Sequence, residues 1–210
     1  MSDKKRIAIF AHYDKDNIID DYIIYYLNAL KKVVQKIIFV SDCNLSLEEQ
    51  NKLDGIDKIM CEQHGEYDFG SYKRGFLFAL ENDFLKNTDE CIFANDSCYG
   101  PFNSLEPIFD KMDEEICDFW GITQSKFGYR KKLKEHFFNK KPHLQSYFLV
   151  LRNNVFSSAT FIEFIKSVKK ESDKSDIIIN YEIGLSEKLL QTGFNMKSYI
   201  NIERSSNLRR

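Results

Sequence analysis

The chain has 210 residues, of which 43% are hydrophobic and 30% charged, and this composition is typical of a packed globular protein rather than a disordered one. Thirty Lys and Arg residues stand against 32 Asp and Glu residues, and the formal charge of −2 argues against a nucleic-acid partner, since such binders carry a basic surplus. The length suits a single domain over residues 1–210.

Membrane and export signals are weak in this sequence. Its apolar runs all fall short of the roughly 20 residues that cross a membrane. The apolar run near the start ends at Ala11, which is too short for the core of a signal peptide. We therefore expect a cytoplasmic protein. Five cysteines without C-x-x-C spacing are expected to be reduced thiols.

Short β-rich runs alternate with helical ones in the first half of the chain. The pattern predicts a strand at 6–11, a helix at 18–33, a strand at 36–40, a short helix capped by Ser46, a strand at 58–61, a helix at 72–85 and a strand at 91–94. Such alternation indicates parallel strands joined by helical crossovers. We expect an α/β fold of Rossmann type, with a mostly parallel central sheet flanked by helices.

The second half is less regular. It predicts a strand at 119–123, an irregular excursion at 126–141, a strand at 146–151, helices at 161–168 and 184–190, and a last strand at 196–200. The segment 126–141 holds seven Lys and Arg residues among aromatic ones. Two interpretations stay open. The segment is either a solvated loop, or a lid or surface that meets anionic lipid at the inner face of the membrane.

Polar residues follow three of the predicted strands. His12 follows the first strand, Asp42 the second, and Asn95-Asp96-Ser97 the fourth. Ligands of open parallel sheets bind beyond the carboxyl ends of the strands, so these three ends are expected to face one crevice. The simpler alternative is that each side chain caps the helix or turn that follows it.

A second candidate feature is a helix start near Gly70. Glycine permits close backbone approach, and a helix N-terminus attracts anions. Lys73 and Arg74 add positive charge within the first turns, and a diphosphate fits that arrangement. The alternative is an amphipathic helix with a solvated basic edge. Asp96 is a candidate ligand for a hard cation shared with phosphate oxygens, although one Asp is a thin ligand set.

Six segments, in order from about residue 11 to residue 189, resemble the rhamnan synthesis protein F family of bacterial glycosyltransferases: AHYDKDN, YDFGSYKRGF, FANDSCYGPF, DFWGIT, HLQSYFLVLR and YEIGLSEKL. The resemblance implies a GT-A-like fold and one glycosyltransferase-like domain. It implies that rhamnose or another hexose is moved from a dTDP- or UDP-sugar, with inversion, to a glycan or lipid-linked acceptor. The product would be a bacterial surface polysaccharide such as lipopolysaccharide or capsule.

The same resemblance assigns residues to the donor. Asn95-Asp96-Ser97 is similar to the Asp-x-Asp motif of GT-A enzymes, which implies a divalent cation, Mg²⁺ or Mn²⁺, on Asp96. It departs from that motif, because Asn95 stands in place of the first acid and Ser97 in place of the second. Asp68 and Gly70 look like part of a donor-binding helix start. Asp42 looks like the strand-two acid that contacts the nucleoside, and His12 completes this donor-binding set.

The transfer also needs a base for the acceptor hydroxyl. We nominate Glu182 in the YEIGL segment, with His143 as the rival base or an acceptor ligand. Glu182 as a helix-start acid and His143 as a structural residue are the simpler interpretations. Asp118 is a further candidate, beside Trp120, which either stacks on a sugar or lies in the core.

Two other functional classes remain open. The missing second acid at Ser97 favours a non-catalytic binding or scaffold protein in polysaccharide assembly. An α/β phosphohydrolase would use Asp14 or Asp96 on a strand-end loop. Asp16 follows Asp14 closely, but the pair lies several residues beyond the strand, which weakens the last idea.

Overall fold

A seven-stranded sheet lies at the centre of the protein in a computed structural model, which describes residues 3–130 and 135–200; for 127–130 and 135–141 it describes the backbone alone. The strands are β1 (Arg6–His12), β2 (Lys36–Ser41), β3 (Lys58–Cys61), β4 (Glu90–Asn95), β5 (Phe119–Gly121), β6 (Gln124–Arg130), β7 (Glu135–Leu144), β8 (Phe148–Arg152) and β9 (Met196–Ser198). The helices are α1 (Asp21–Leu30), α2 (Leu47–Asn51), α3 (Tyr67–Glu81), α4 (Glu106–Asp113), α5 (Asn153–Phe156), α6 (Ala159–Ser167), α7 (Lys174–Ile177) and α8 (Gly184–Gln191), with a π-helical segment over Ile178–Ile183 between the last two.

The strand order in the sheet is β3-β2-β1-β4-β8-β5-β9. Strands β1 to β4 are parallel to one another, β8 is antiparallel to both of its neighbours, and β9 is parallel to β5. The predicted α/β fold with a mostly parallel sheet is confirmed. The carboxyl ends of β1, β2 and β4 meet at one edge, as the sequence predicts.

Both faces of the sheet are buried. In β1, Ile7 and Ile9 point into a core beneath α3 and α6, while Ala8 and Phe10 point into a second core beneath α1. This double burial explains why β1 is apolar throughout rather than alternating. Trp120 lies fully buried in the second core, so the idea that it stacks on a sugar is wrong.

The two long helices of the first half differ from their predicted bounds. The predicted helix at 18–33 is α1, and it begins later because Asp20 adopts an extended backbone at the N-cap. The helix predicted at 72–85 begins at Tyr67, so Gly70 lies inside α3 instead of in a turn before it. The cap at Ser46 is confirmed, since its hydroxyl accepts the N–H of Glu49.

The irregular excursion predicted at 126–141 is wrong for the part that the structure describes. Strands β6 and β7 pair as an antiparallel ribbon from Gln124 opposite Leu144 to Arg130 opposite Glu135. A ribbon satisfies its backbone hydrogen bonds between its own two strands, so it forms without the apolar periodicity that reveals strands of a central sheet. Residues 131–134 lie outside the described part.

None of the helices in the described ranges is long and apolar enough to cross a membrane. All five cysteines are free thiols.

Candidate active site

The first element of the site is His12, the last residue of β1. Its ring is buried, with Nδ1 2.9 Å from the Ser41 hydroxyl at the end of β2. Its Nε2 lies 4.0 Å from Oδ2 of Asp96. Burial lowers the pKa of His12 to about 4, so the ring is neutral near pH 7. The His12 ring is therefore hydrogen-bonded at the end of β2 and lies beneath Asp96 at the end of β4.

Asp96 stands just beyond β4, on the surface of the cleft. Its side chain is 11% exposed, and Oδ2 accepts the backbone N–H of Tyr13 at 2.9 Å. Burial raises the pKa of Asp96 to about 7, and the negative charge of Asp68 adds to the effect, against the bond from Tyr13. A bound cation would stabilise the charged form of this carboxylate, which burial and Asp68 disfavour.

Asp68 lies in the first turn of α3 and faces the same cleft. Its Oδ2 accepts a hydrogen bond of 2.6 Å from Nδ2 of Asn95. Burial raises the pKa of Asp68 to about 6, while the positive charge of Lys174 opposes the rise. Asp68 therefore provides a second acid in the same cavity as Asp96, and its charge acts on Asp96.

A cavity of about 590 Å³ opens over these acids. Asp42, Asp68, Asp96 and Lys174 are among the residues that line it. The side-chain ammonium of Lys174, the first residue of α7, forms no hydrogen bond or ion pair with another residue of the described ranges. Sequence reasoning missed it, because it lies among several lysines and belongs to no motif.

A second cavity of about 300 Å³ shares Asp68 and Lys174 with the first and extends to Glu182 in the π-helical segment. Oε2 of Glu182 accepts two hydrogen bonds from Ser146, one from the N–H at 3.1 Å and one from the hydroxyl at 2.6 Å. π-Helical turns are frequent at functional sites. The structure therefore brings the predicted base into the same cleft as the predicted donor acids.

His143 lies behind Glu182. Its Nε2 is 3.8 Å from Oε1 of Glu182, and burial lowers the pKa of His143 below its ordinary value. The side chain of Glu182 is 23% exposed and that of His143 only 3%. Of the two candidate bases, Glu182 is thus the one that faces the cavity.

Asp42 lies at the rim of the first cavity and is engaged with its own loop. Its Oδ1 accepts the backbone N–H groups of His64 at 2.7 Å and Gly65 at 2.8 Å. The remaining oxygen, Oδ2, lies 3.4 Å from Nδ1 of His64. Asp42 therefore shapes the loop that follows β3, while 6% of the residue remains exposed.

The structure does not place Gly70 at a free helix N-terminus. Its N–H donates to the carbonyl of Glu66 at 3.2 Å, within α3. A Cβ at this position would overlap with Cβ of Glu66 and lie 2.9 Å from Nδ1 of His64, so the glycine leaves room for both side chains. The expectation that the N–H of Gly70 is free to bind an anion is therefore wrong. Close packing against His64 explains why a glycine is needed at this position.

Lys73 and Arg74 are likewise engaged away from Asp96. Nζ of Lys73 donates to Glu66 at 2.5 Å and to the carbonyl of Val168 at 2.6 Å. Nη1 of Arg74 donates to Glu66 at 3.0 Å. The two cations hold α3 to neighbouring segments, and the charge that faces the cleft acids is that of Lys174.

Two other carboxylates of the sequence analysis have local partners. Oδ1 of Asp14 accepts the N–H groups of Asp16 and Ile18 and closes a turn. Asp118 precedes β5, at the opposite edge of the sheet from Asp96, and accepts the N–H of Asn195 at 2.7 Å. These contacts assign turn and strand-end roles to both groups.

The side chains that could hold a metal are the carboxylates of Asp68 and Asp96, which line the same cavity. Within the described ranges, no group of three or more His, Cys, Asp or Glu side chains is arranged to hold an ion. Two acids fit Mg²⁺ or Mn²⁺ bound together with phosphate oxygens, because such ions take one or two carboxylates and keep sites for substrate. They do not form a complete cage of protein ligands.

The family model described as rhamnan synthesis protein F matches residues 37–209. The chain belongs to this family. Among curated relatives of this family member, virulence protein VirA of Vibrio anguillarum is 30% identical over 190 residues, which are 89% of this chain and 57% of VirA. Protein y4gN of Sinorhizobium fredii is 26% identical over 193 residues, which are 91% of this chain and 48% of y4gN. The chain thus spans about half the length of the curated relatives it matches.

Solved structures confirm the GT-A-like fold. A crystal structure of 4-diphosphocytidyl-2C-methyl-D-erythritol synthase superposes with a TM-score of 0.53 at 9% identity, covering 99% of this chain and 98% of the synthase. The bifunctional IspDF of Campylobacter jejuni gives a TM-score of 0.50 at 10% identity, covering 94% of this chain and 49% of IspDF.

Proposed function

We propose that this chain is a glycosyltransferase that moves a sugar, rhamnose or another hexose, from a nucleoside diphosphate to a growing bacterial surface polysaccharide. The observation that carries the proposal is the convergence of Asp68, Asp96, Lys174 and Glu182 in two joined cavities at the carboxyl ends of parallel strands. Membership of a rhamnan synthesis family supports the polysaccharide product. The name of the diphosphocytidyl synthase supports a nucleoside diphosphate in this type of fold.

The diphosphate is assigned to the first cavity. Asp96 and Asp68 would hold a divalent cation, Mg²⁺ or Mn²⁺, which when bound neutralises charge on the leaving diphosphate. Lys174 adds a positive charge to the lining of the cavity and would stabilise the departing oxygen electrostatically. Asn95 orients Asp68 through its amide, and Asp42 lies at the rim where a nucleoside would extend. His12 supports Asp96 from inside the protein.

Glu182 is assigned as the general base. Both hydrogen bonds from Ser146 reach Oε2, so Oε1, which lies 3.8 Å from Nε2 of His143, is assigned to accept the proton of the acceptor hydroxyl. As the oxygen of the acceptor hydroxyl bonds to the anomeric carbon, the bond from this carbon to the diphosphate oxygen breaks. The proton of the hydroxyl moves to Glu182. A single displacement of this kind inverts the anomeric centre. His143 lies behind the carboxylate and positions it.

Exchange of Glu182 for Gln tests the catalytic step. Glu182→Gln keeps the size of the side chain and removes the proton acceptor, so transfer should fall about 10²- to 10⁴-fold. Nucleotide affinity, measured by calorimetry with UDP and dTDP, should stay at the wild-type value. Asp16→Asn also replaces a carboxylate by an amide, but at an exposed loop position. It is the matched control and should retain full transfer.

The non-catalytic binding protein is the second candidate, and the absence of a second acid at Ser97 favours it. This candidate predicts that the wild type binds a nucleotide or a glycan but transfers no sugar from any nucleotide-sugar donor. Wild-type turnover that Glu182→Gln leaves unchanged would contradict Glu182 as the base and return that role to His143.

Contact with the inner membrane is part of the proposal only for a lipid-linked acceptor. The basic residues of 126–141 are the candidate surface, but the side chains of 127–141 are not described by the structure. Co-sedimentation with anionic and with neutral liposomes decides the matter. Equal and negligible binding to both would contradict membrane contact.

A further inference from the structure

An aromatic groove of about 470 Å³ lies beyond the loop that follows β4. Tyr99 and Phe102 line it and are 74% and 86% exposed. The ring of Tyr99 is held by Tyr22, with ring centroids 4.8 Å apart. Large exposed aromatic rings that line one cavity are typical of a ligand-binding site, since exposed apolar patches on soluble proteins are usually interaction sites. The volume lies within the roughly 300–1,000 Å³ of small-molecule sites.

The groove is continuous with the candidate active site. Three residues line both the groove and the Glu182 cavity: Cys98, Gln145 and Tyr147. The Glu182 cavity in turn shares Asp68 and Lys174 with the cavity that contains Asp96. The order along this path is therefore diphosphate acids, base, aromatic groove, which is the order that a donor, a proton acceptor and an acceptor molecule require.

One edge of the groove is polar. The Thr123 hydroxyl donates to Oε1 of Gln145 at 2.6 Å and lies 2.9 Å from the hydroxyl of Tyr147. The side-chain nitrogen of Gln145, Nε2, carries two N–H donors, and within the described ranges it has no hydrogen-bond partner. The groove thus combines aromatic faces with hydrogen-bonding groups on the side nearest Glu182.

We propose that this groove binds a pyranose ring of the acceptor glycan, and this inference rests on the proposed transferase function. A pyranose has an apolar face of C–H groups that packs on an aromatic ring, and a rim of hydroxyls that pairs with polar groups. The face packs on Tyr99 or Phe102, and a hydroxyl turns toward Gln145 and Glu182. A hydrocarbon chain in the same place would cover the amide of Gln145 without pairing its donors.

Saturation-transfer NMR with a rhamnose trisaccharide tests the site, on the whole chain in the presence of UDP or dTDP. The wild type should transfer saturation to the C–H protons of one ring. Phe102→Ala, Tyr99→Ala or both should weaken trisaccharide binding about tenfold, as loss of an aromatic anchor does. Ile116→Ala is the control, because Ile116 is an apolar residue 88% exposed outside the groove, and it should bind as the wild type does.

Nucleotide affinity and melting temperature are measured on the same variants. Lost trisaccharide binding with unchanged nucleotide affinity and melting temperature supports the groove as the acceptor site. Wild-type trisaccharide affinity in both variants, or no trisaccharide binding by a wild type that binds nucleotide, overturns it. So does a polyprenyl phosphate that binds the wild type in place of the trisaccharide and is lost in Phe102→Ala. Absence of nucleotide binding by the wild type would instead contradict the proposed function itself.

Discussion

Asp68 and Asp96 are two partly buried acids whose protonated forms the folded protein favours. Their pKa values are raised to about 6 and about 7, from an ordinary value near 4. Because the folded state holds more protons than the unfolded state between about pH 4 and pH 7, the free energy of unfolding falls as the pH rises through that window. The acids that serve the cleft therefore cost stability near neutral pH.

Asp96→Asn removes one of these charges and keeps an oxygen to accept the N–H of Tyr13. At pH 8 the melting temperature should rise by about 2–4 °C, which corresponds to about 1 kcal/mol for a domain of this size. At pH 4, where the native carboxyl is already protonated, the variant and the wild type should melt alike. A variant that melts below the wild type at pH 8 would show that the Asp96 charge stabilises the fold.

Cation affinity at Asp68 and Asp96 should rise with pH, whereas the contribution of these acids to stability falls. A divalent cation needs deprotonated carboxylates, so the affinity for UDP or dTDP with Mg²⁺ should rise between pH 6 and pH 8, by up to about tenfold per proton displaced and per pH unit. Titration calorimetry at several pH values measures it, with Asp16→Asn as the control that keeps the dependence. An affinity that is flat over this range in the wild type would contradict a cation at Asp96 and Asp68.

The residues of the site were predictable to different degrees. Asp96 and Asn95 follow an apolar strand, and that position alone places them at the ligand-binding edge of a parallel sheet. Asp68 was found through its motif, but its closeness to Asp96 depends on how α3 packs on the sheet. Lys174 follows no strand and no motif, and it reaches the cleft only because α7 folds over it, so the sequence carried no local signal for it.

Two lysines, Lys73 in α3 and Lys174 in α7, have different roles in this fold. Lys73 is paired with Glu66, whereas Lys174 faces the cleft acids. Lys73→Ala should lower stability by about 1 kcal/mol through loss of partly buried hydrogen bonds and leave nucleotide affinity unchanged. Lys174→Ala should weaken nucleotide binding about tenfold and leave the melting temperature near that of the wild type.

Calorimetry and thermal melting on this matched pair of lysine variants provide the check. The reverse pattern, with Lys73→Ala losing nucleotide affinity and Lys174→Ala losing only stability, would restore the diphosphate site that the sequence placed near Gly70.

Elements were predicted best where local apolar pattern decides the structure. Strands β1, β2 and β4 are buried on both faces, so each is a short apolar run ended by polar residues. The β6–β7 ribbon and the π-helical segment were missed, since the first is held by its own backbone pairing and the second differs from an α-helix only in hydrogen-bond spacing. Tertiary packing of Gly70 against His64 likewise overrode the low helix propensity of glycine at the start of α3.

Over the whole molecule, the order of elements predicted the parallel half of the sheet but not its other half. Each of β2 to β4 follows a helical crossover, and the handedness of such crossovers restricts where each strand joins the sheet. Strand β8 is inserted antiparallel between β4 and β5 after the β6–β7 ribbon, and no local pattern announces that insertion. This insertion brings Gln145 and Ser146 beside the end of β4 and completes the cleft.

The most direct test of the account is a crystal structure of the chain with UDP or dTDP and Mn²⁺. We expect the diphosphate in the cavity that Asp68, Asp96 and Lys174 line, with the metal on the two carboxylates and Glu182 open to the neighbouring groove. A diphosphate bound beside Lys73 and Arg74, or at the opposite edge of the sheet near Asp118, would contradict the account.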